Sequence, residues 1–296
     1  MNKKGLAAGL GGYVLWGLLP LYWGMLSGMN SIFVLCMRIL GSAVFTFLLL
    51  VITKKHKQVF STFKDKQKMK YLVPAAIAIT INWGLYIWMM SAGKVLEGSL
   101  GYYINPLAVF LCGVFVFKER CERLDIAALI LAAAGVVIAT VQLGKFPFEA
   151  LILAASFATY GTLKKFAKAD SLVSVCVETL LVAPIALLYI IFADASHASL
   201  AIATPLEMGA LLCAGIVTAL PLILYSQGVN TLSLTTMGFL QYICPTLMLG
   251  VSYINGEDVA SKLLGFAFIW AGLIIFSYGL LKREREAKKR TLALSK

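Results

Sequence analysis

The sequence predicts an all-α integral membrane protein of ten transmembrane helices arranged as two inverted five-helix repeats. Three observations predict it. Apolar residues make up 60% of the 296-residue chain while charged residues make up 14%, with a mean hydropathy of +0.87, too little charged surface to disperse a soluble protein of this length. The apolar residues fall into runs of about 20, enough to cross a hydrocarbon core of about 30 Å as helix. The runs also resemble one another at an interval of about half the chain.

Ten runs qualify, with short polar gaps between them: Gly5–Met25, Ser31–Thr53, Tyr71–Ala92, Gly98–Phe117, Asp125–Leu143, Phe148–Phe166, Leu172–Ala193, Leu206–Val229, Ser233–Ile254 and Lys262–Leu281. They are too long and continuous for the short alternating strands of a membrane barrel. The first follows Lys3 and Lys4, as a secretory signal would. Its length, its internal Trp16 and Pro20, and the lack of a clear small-residue cleavage site favour an uncleaved helix. The Lys54–Lys70 gap is the one stretch long enough for a small soluble structure.

A net charge of +12 raises the question of nucleic acid, but its distribution answers differently. With the N-terminus inside, the inner segments, including Lys54–Lys70, Lys118–Arg123, Lys164–Lys168 and the tail after Leu281, carry twenty-two Lys and Arg. The outer connections carry three, Lys94, Lys145 and Lys262. Such asymmetry places both termini in the cytoplasm. The basic tail, residues 282–296, reads as a helical anchor for anionic headgroups of the membrane lipids in preference to a nucleic-acid site. The six cysteines form no CxxC pair, and His56 and His197 lie in loops. The cysteines read as small packing residues, so neither metal nor cofactor is expected.

Four correspondences recur in consistent order. Tyr103-Ile104-Asn105-Pro106 in span four matches Tyr242-Ile243-Cys244-Pro245 in span nine, and each span runs to an acidic turn, Lys118-Glu119 and Glu257-Asp258. The following helices are rich in small residues, Ala132-Ala133-Ala134-Gly135 and Trp270-Ala271-Gly272. Trp16-Gly17 echoes Tyr160-Gly161, and Leu35-Cys36-Met37-Arg38 echoes Val175-Cys176-Val177-Glu178. Five spans per unit is odd, so the second unit, residues 144–281, enters from the opposite side to the first, residues 1–143. Inverted repeats of this kind are frequent in secondary transporters.

Arg38 and Glu178 stand out as ionisable residues well inside spans. A charge at depth costs at least about 2.5 kcal/mol, so such residues usually face a cavity or a partner. If both face the centre, they pair with each other or bind the carboxylate and ammonium of a zwitterionic substrate. Glu178 is also the candidate for proton coupling. The competing reading has both near helix ends, reaching toward headgroups. Pro106 and Pro245 each deprive the carbonyl four residues earlier, on Tyr102 and Gln241, of its helical partner. Matched breaks in two halves point to a transport site and to hinges. Asn82 and Tyr86, four apart, share a helix face. With Trp16, Tyr102, Asn105, Gln241 and Tyr242 they would line an aromatic cavity holding a few hydrogen-bonding groups. Ala128, Ala132 and Val136, and in span ten Ala267 and Ala271, form small-residue stripes suited to close helix packing.

The motif Glu97-Gly98-Ser99-Leu100-Gly101-Tyr102-Tyr103-Ile104-Asn105-Pro106, with Lys118-Glu119-Arg120 after it and Leu240-Gln241-Tyr242-Ile243-Cys244-Pro245 later, resembles the RarD family, the chloramphenicol-sensitivity branch of the EamA-type proteins in the drug/metabolite transporter superfamily. The resemblance covers essentially the whole chain. It implies two inverted EamA-type repeats, a location in the cytoplasmic membrane and a transporter role, with helices five and ten away from the central cavity. Substrates associated with the superfamily include amino acids, drugs and other metabolites.

The expected function is therefore secondary transport, outward, of a small amphipathic or zwitterionic organic molecule. No Walker loop is present to use ATP. An intramembrane enzyme would need an aspartate dyad or metal ligands, which the spans lack. A channel would need a continuous polar lining, and a non-transporting scaffold would be indifferent to Arg38 and Glu178.

Overall fold

The computed structural model describes residues 2–91, 95–144, 146–254 and 263–294, and these are helical almost throughout. The helices are α1 (Lys3–Gly24), α2 (Ser31–Ile52), α3 (His56–Lys64), α4 (Lys66–Ser91), α5 (Val95–Phe115), α6 (Arg123–Leu143), α7 (Phe148–Ala167), α8 (Ser171–Phe192), α9 (Asp194–Ile202), α10 (Pro205–Thr231), α11 (Leu234–Gln241), α12 (Ile243–Ile254) and α13 (Leu263–Leu294). Eight of the apolar segments are long and apolar enough to cross a membrane, with the α11–α12 pair counting as one. A shorter apolar segment, Leu100–Phe115, lies in α5. The chain is thus a multi-pass membrane protein. The short helices α3 and α9 fall in gaps between apolar runs. Lys94, Lys145, Lys262 and the Glu257-Asp258 turn lie outside the described residues.

Polar side chains set the helix starts. Asn30 and Asp170 each accept two amide hydrogens at the starts of α2 and α8, and Thr204 with Glu207 forms a capping box on α10. Such caps satisfy amides that have no intrahelical partner. Pro20, Pro106, Pro184 and Pro221 sit inside helices that continue past them. Span nine does break, at Tyr242, three residues before Pro245. Its amide bonds back to the Phe239 carbonyl at 3.2 Å before α12 begins. The proline cannot donate to Gln241, which ends α11.

The packing comes in pairs. α1 lies on α10 and α12, while α7 lies on α4 and α5. α2 packs on α8, α5 on α11, and α6 on α13. Close approach depends on glycine. A Cβ on Gly41 would stand 2.9 Å from the Gly215 Cα, and one on Gly238 would stand 2.7 Å from the Pro106 carbonyl oxygen. Both are closer than side-chain contacts allow, so α2 meets α10, and α11 meets α5, backbone to backbone.

Two expectations need correction. In α13 the face against α6 carries Gly265, Ile269, Gly272 and Phe276. Ala267 is exposed and Ala271 half-buried, so the stripe is displaced around the helix from the alanines. Ala128, Ala132 and Val136 of α6 are buried as expected. The second concerns Lys164–Lys168, read as a loop. α7 runs to Ala167, and Lys164 is buried within the bundle with 1% of its side chain exposed. It joins Arg38 and Glu178 as an ionisable group inside a span.

Candidate functional site

One cavity of about 640 Å³ lies among α1, α2, α4, α5, α7 and the α11–α12 pair. None of its described lining residues comes from α6 or α13. It occupies the half of the bundle away from the described N-terminal end and reaches the exposed Ser27 in the α1–α2 turn. At its inner end stand Tyr13, Trp16 and Phe157. Tyr225, fully buried, packs against all three with ring centroids 5.3 to 6.0 Å apart, and Tyr160 stacks on Tyr225 at 5.9 Å. Edge and offset arrangements of this kind hold aromatic clusters together.

Of the residues singled out in the sequence, Trp16, Arg38, Asn82, Tyr86, Tyr102, Asn105 and Gln241 line this cavity. Tyr86 and Tyr102 meet edge to face at 5.3 Å. Asn82 donates to the Leu153 carbonyl at 2.8 Å and to Ser156 Oγ at 3.0 Å, tying α4 to α7. Asn105 Oδ1 and Gln241 Oε1 are buried acceptors without a hydrogen-bond partner, a costly state that a solute or water would relieve.

Arg38 reaches the cavity wall. Its guanidinium lies 4.2 Å from the Trp23 ring and 5.2 Å from the Trp83 ring, and Nε donates to Thr218 Oγ1 at 3.0 Å. Stacking on indole compensates part of the desolvation of the cation. Trp23 and Trp83 line the cavity without being among the candidate site residues of the sequence, although Trp83 adjoins the Asn82–Tyr86 face. Trp23 lies near the end of the first apolar run, where the sequence does not single it out, and Trp83 sits between Asn82 and Tyr86.

Glu178 and Tyr242 are placed elsewhere. Glu178 accepts from Lys164 Nζ at 2.7 Å and from the Tyr160 hydroxyl at 3.1 Å. Lys164 also donates to Ser174 Oγ at 2.6 Å. Glu178 does not pair with Arg38, one of the two arrangements expected if both faced the centre; Lys164 of α7 is its partner instead. Glu178 instead borders a void of about 10 Å³, and Trp83 lines both this void and the large cavity. Tyr242 is buried beside Phe239, Phe110 and Ile269, behind the cavity wall.

A polar cluster closes the face that carries the N-terminus. Glu119, after α5, accepts the amides of Leu234 and Thr235 at 2.8 and 2.9 Å and so caps α11. Lys165 donates to Glu119 at 2.7 Å and to the Leu232 carbonyl at 3.0 Å. Burial raises the Glu119 carboxyl, but Lys165 and the two amides outweigh it and hold it below its ordinary value. Gly113 leaves the space for this cap, since a Cβ there would stand 2.6 Å from Glu119 Oε2. On the same face Lys55 pairs with Asp170 at 3.1 Å. Arg283, in the basic tail, forms a two-nitrogen contact with Asp125 of α6 at 2.8 to 3.0 Å.

The profile of the EamA-like transporter family matches residues 3–141. Among curated relatives, an uncharacterized transporter, YojE, of Bacillus subtilis is 39% identical, covering 97% of this chain and 98% of its own. The RarD protein of Escherichia coli K12 is 34% identical over 97% of this chain and 98% of its own. The chain belongs to the RarD family of EamA-like transporters. RarD proteins of Streptomyces exfoliatus and Salmonella typhi match over similar spans at 34% and 35% identity. A crystal structure at 17% identity superposes with a TM-score of 0.72 over 93% of this chain and 98% of its own, which shows a shared fold. Membership in this family makes the chain a membrane transporter.

Proposed function

We propose that the chain is a secondary carrier that exports small amphipathic organic molecules by alternating access between two inverted five-helix repeats, residues 1–143 and 144–281, with a basic cytoplasmic tail. The observation that carries this reading is the cavity itself. It is large enough for a small organic solute, reaches one face, and ends on the Tyr13, Trp16 and Phe157 cluster before the other. A channel is disfavoured by the same geometry, since the space stops short of the second face.

The paired packing supports two related halves. α1 against α10 has its counterpart in α7 against α4, and α1 against α12 in α7 against α5. The family profile spans α1 to α6, the length of one repeat. With the positive-inside bias placing both termini in the cytoplasm, the Glu119 cluster is a cytoplasmic latch and the cavity faces outward. Trp16, Arg38, Asn82, Tyr86, Tyr102, Asn105 and Gln241 then contact the solute, and the Gln241–Ile243 break and Pro106 act as hinges. Glu178, held by Lys164 beside a void too small for a solute, serves as the proton-coupling group, and Tyr242 as support for the wall.

Reconstitution into liposomes with a panel of labelled amphipathic solutes tests the proposal. Saturable flux that counter-transports unlabelled solute is expected. Leakage independent of solute, or no flux for any member, would overturn it.

A further inference from the structure

Among the described residues that line the cavity, Arg38 alone carries a charge. Among the described residues no carboxylate comes within ion-pair distance of it, and Glu178, matched to it in the repeat, is held by Lys164 at 2.7 Å. Arg38 is half-buried, and a guanidinium drawn partly out of bulk water needs compensation. Two indoles and one threonine hydroxyl supply neutral contacts, leaving the positive charge unbalanced. With Nε committed to Thr218, the two terminal nitrogens are the donors left for a ligand. Their parallel N–H bonds match the two oxygens of a carboxylate.

The rest of the wall defines the rest of the ligand. Trp16, Trp83, Tyr86 and Tyr102 offer aromatic faces and edges to an apolar body. The unpartnered acceptors Asn105 Oδ1 and Gln241 Oε1 ask for a neutral N–H or O–H donor. A substrate ammonium, by contrast, would meet no carboxylate among the described lining residues and would add a second positive charge beside Arg38.

We infer that the cavity is an anion site, and that the transported class is organic monocarboxylates with an aromatic or apolar body, bound through Arg38 on the Trp23–Trp83 shelf. This rests on the carrier reading above and narrows it: zwitterions, which the sequence alone admits, are disfavoured. It also supplies a driving force, because a membrane potential negative inside expels an anion.

Four solutes with one body and different heads test the inference on the full chain in nanodiscs: 3-phenylpropionate, phenylalanine, 3-phenylpropanamide and phenethylamine. Tryptophan fluorescence, with indoles in the wall, reads binding. The carboxylate is expected to bind at least tenfold tighter than the other three. Arg38→Gln is expected to erase that preference, and Arg38→Lys to retain part of it. Equal or tighter binding of phenylalanine or the amide by the unmodified chain would overturn the inference with no variant needed. An unchanged preference in a folded Arg38→Gln would overturn it as well. Saturable counterflow of a neutral or zwitterionic solute alongside either result leaves the carrier standing and removes only the anion assignment. The absence of saturable binding and flux for every solute removes both.

Discussion

Lys164 and Glu178 share a short contact with almost no water: 1% and 4% of their side chains are exposed. Removing one partner of such a pair leaves the other charge uncompensated, a loss of about 3–5 kcal/mol, whereas replacing both with apolar groups is often neutral. Lys164→Met is therefore expected to lower the melting temperature in detergent sharply, and the double change Lys164→Met/Glu178→Leu to recover most of it. If Glu178 carries the coupled proton, Glu178→Gln abolishes uptake driven by a pH gradient and spares solute exchange; equal loss of both modes would sink that role. Arg38 and Glu178 were legible in the sequence because a charge at depth is expensive wherever it points. Their separation was not. Lys164 stands about one turn from the end of its apolar run, where a lysine ordinarily reaches for headgroups, and nothing local distinguishes that from a lysine turned inward.

Helices were the most readable level. Each apolar run falls on helical segments of the structure, eight of them long and apolar enough to cross a membrane, because bilayer thickness sets the length of such runs; the last helix, α13, continues past its run to Leu294. Which side of a helix meets its neighbour was less readable. In α13 both alanines and glycines recur about every four to seven residues, and small size alone suits a lipid-facing side as well as a packed one. The glycines won because α6 approaches to the point where a Cβ on Gly135 would stand 2.6 Å from the Gly265 carbonyl oxygen. The crossing of α2 and α10 is as tight. A Cβ on Gly215 would lie 2.1 Å from the Gly41 carbonyl carbon, and backbone cannot yield as a flexible side chain does. Gly215→Val is expected to cost at least the 1–3 kcal/mol typical of overpacking, read as a fall in melting temperature. Gly209→Val, on the same helix with nothing within 4 Å of its Cβ position, is expected to change it little. A similar fall for both would show that helix propensity, not the crossing, is responsible.

At the scale of the molecule, the terminus-bearing face is held by Glu119, Lys165 and the start of α11. The Glu119 carboxyl is held below its ordinary value, so it binds protons less readily when the face is closed than when it is released. Its contribution to closure is fully present above the ordinary carboxylate value of 4.5 and is lost as pH falls through the lower value of the closed form. At neutral pH the Glu119 cap on α11 is intact. Spin labels at Arg120 and Asn230 are expected to report a short distance at pH 7 that lengthens on strong acidification and in Glu119→Gln at any pH. A Glu119→Gln distance identical to the unmodified one would show that the aromatic cluster alone keeps this face shut. The acidic turn itself was visible in the sequence. Its partner was not, because a carboxylate capping a helix 115 residues away leaves no local signature.

That separation has a consequence for how the chain is made. At a translation rate of about 5–20 residues per second, Glu119 is synthesised on the order of ten seconds before the helix start it caps exists. The chain thus passes through a stage with α5 inserted and the helix start that receives the Glu119 carboxylate still unmade. Arg38 waits longer for Thr218, 180 residues downstream. Lys164 and Glu178, fourteen residues apart, can join as one helical hairpin. Synthesis therefore has a built-in order, in which the Lys164–Glu178 contact can form as soon as its hairpin exists while Glu119 and Arg38 await partners made later.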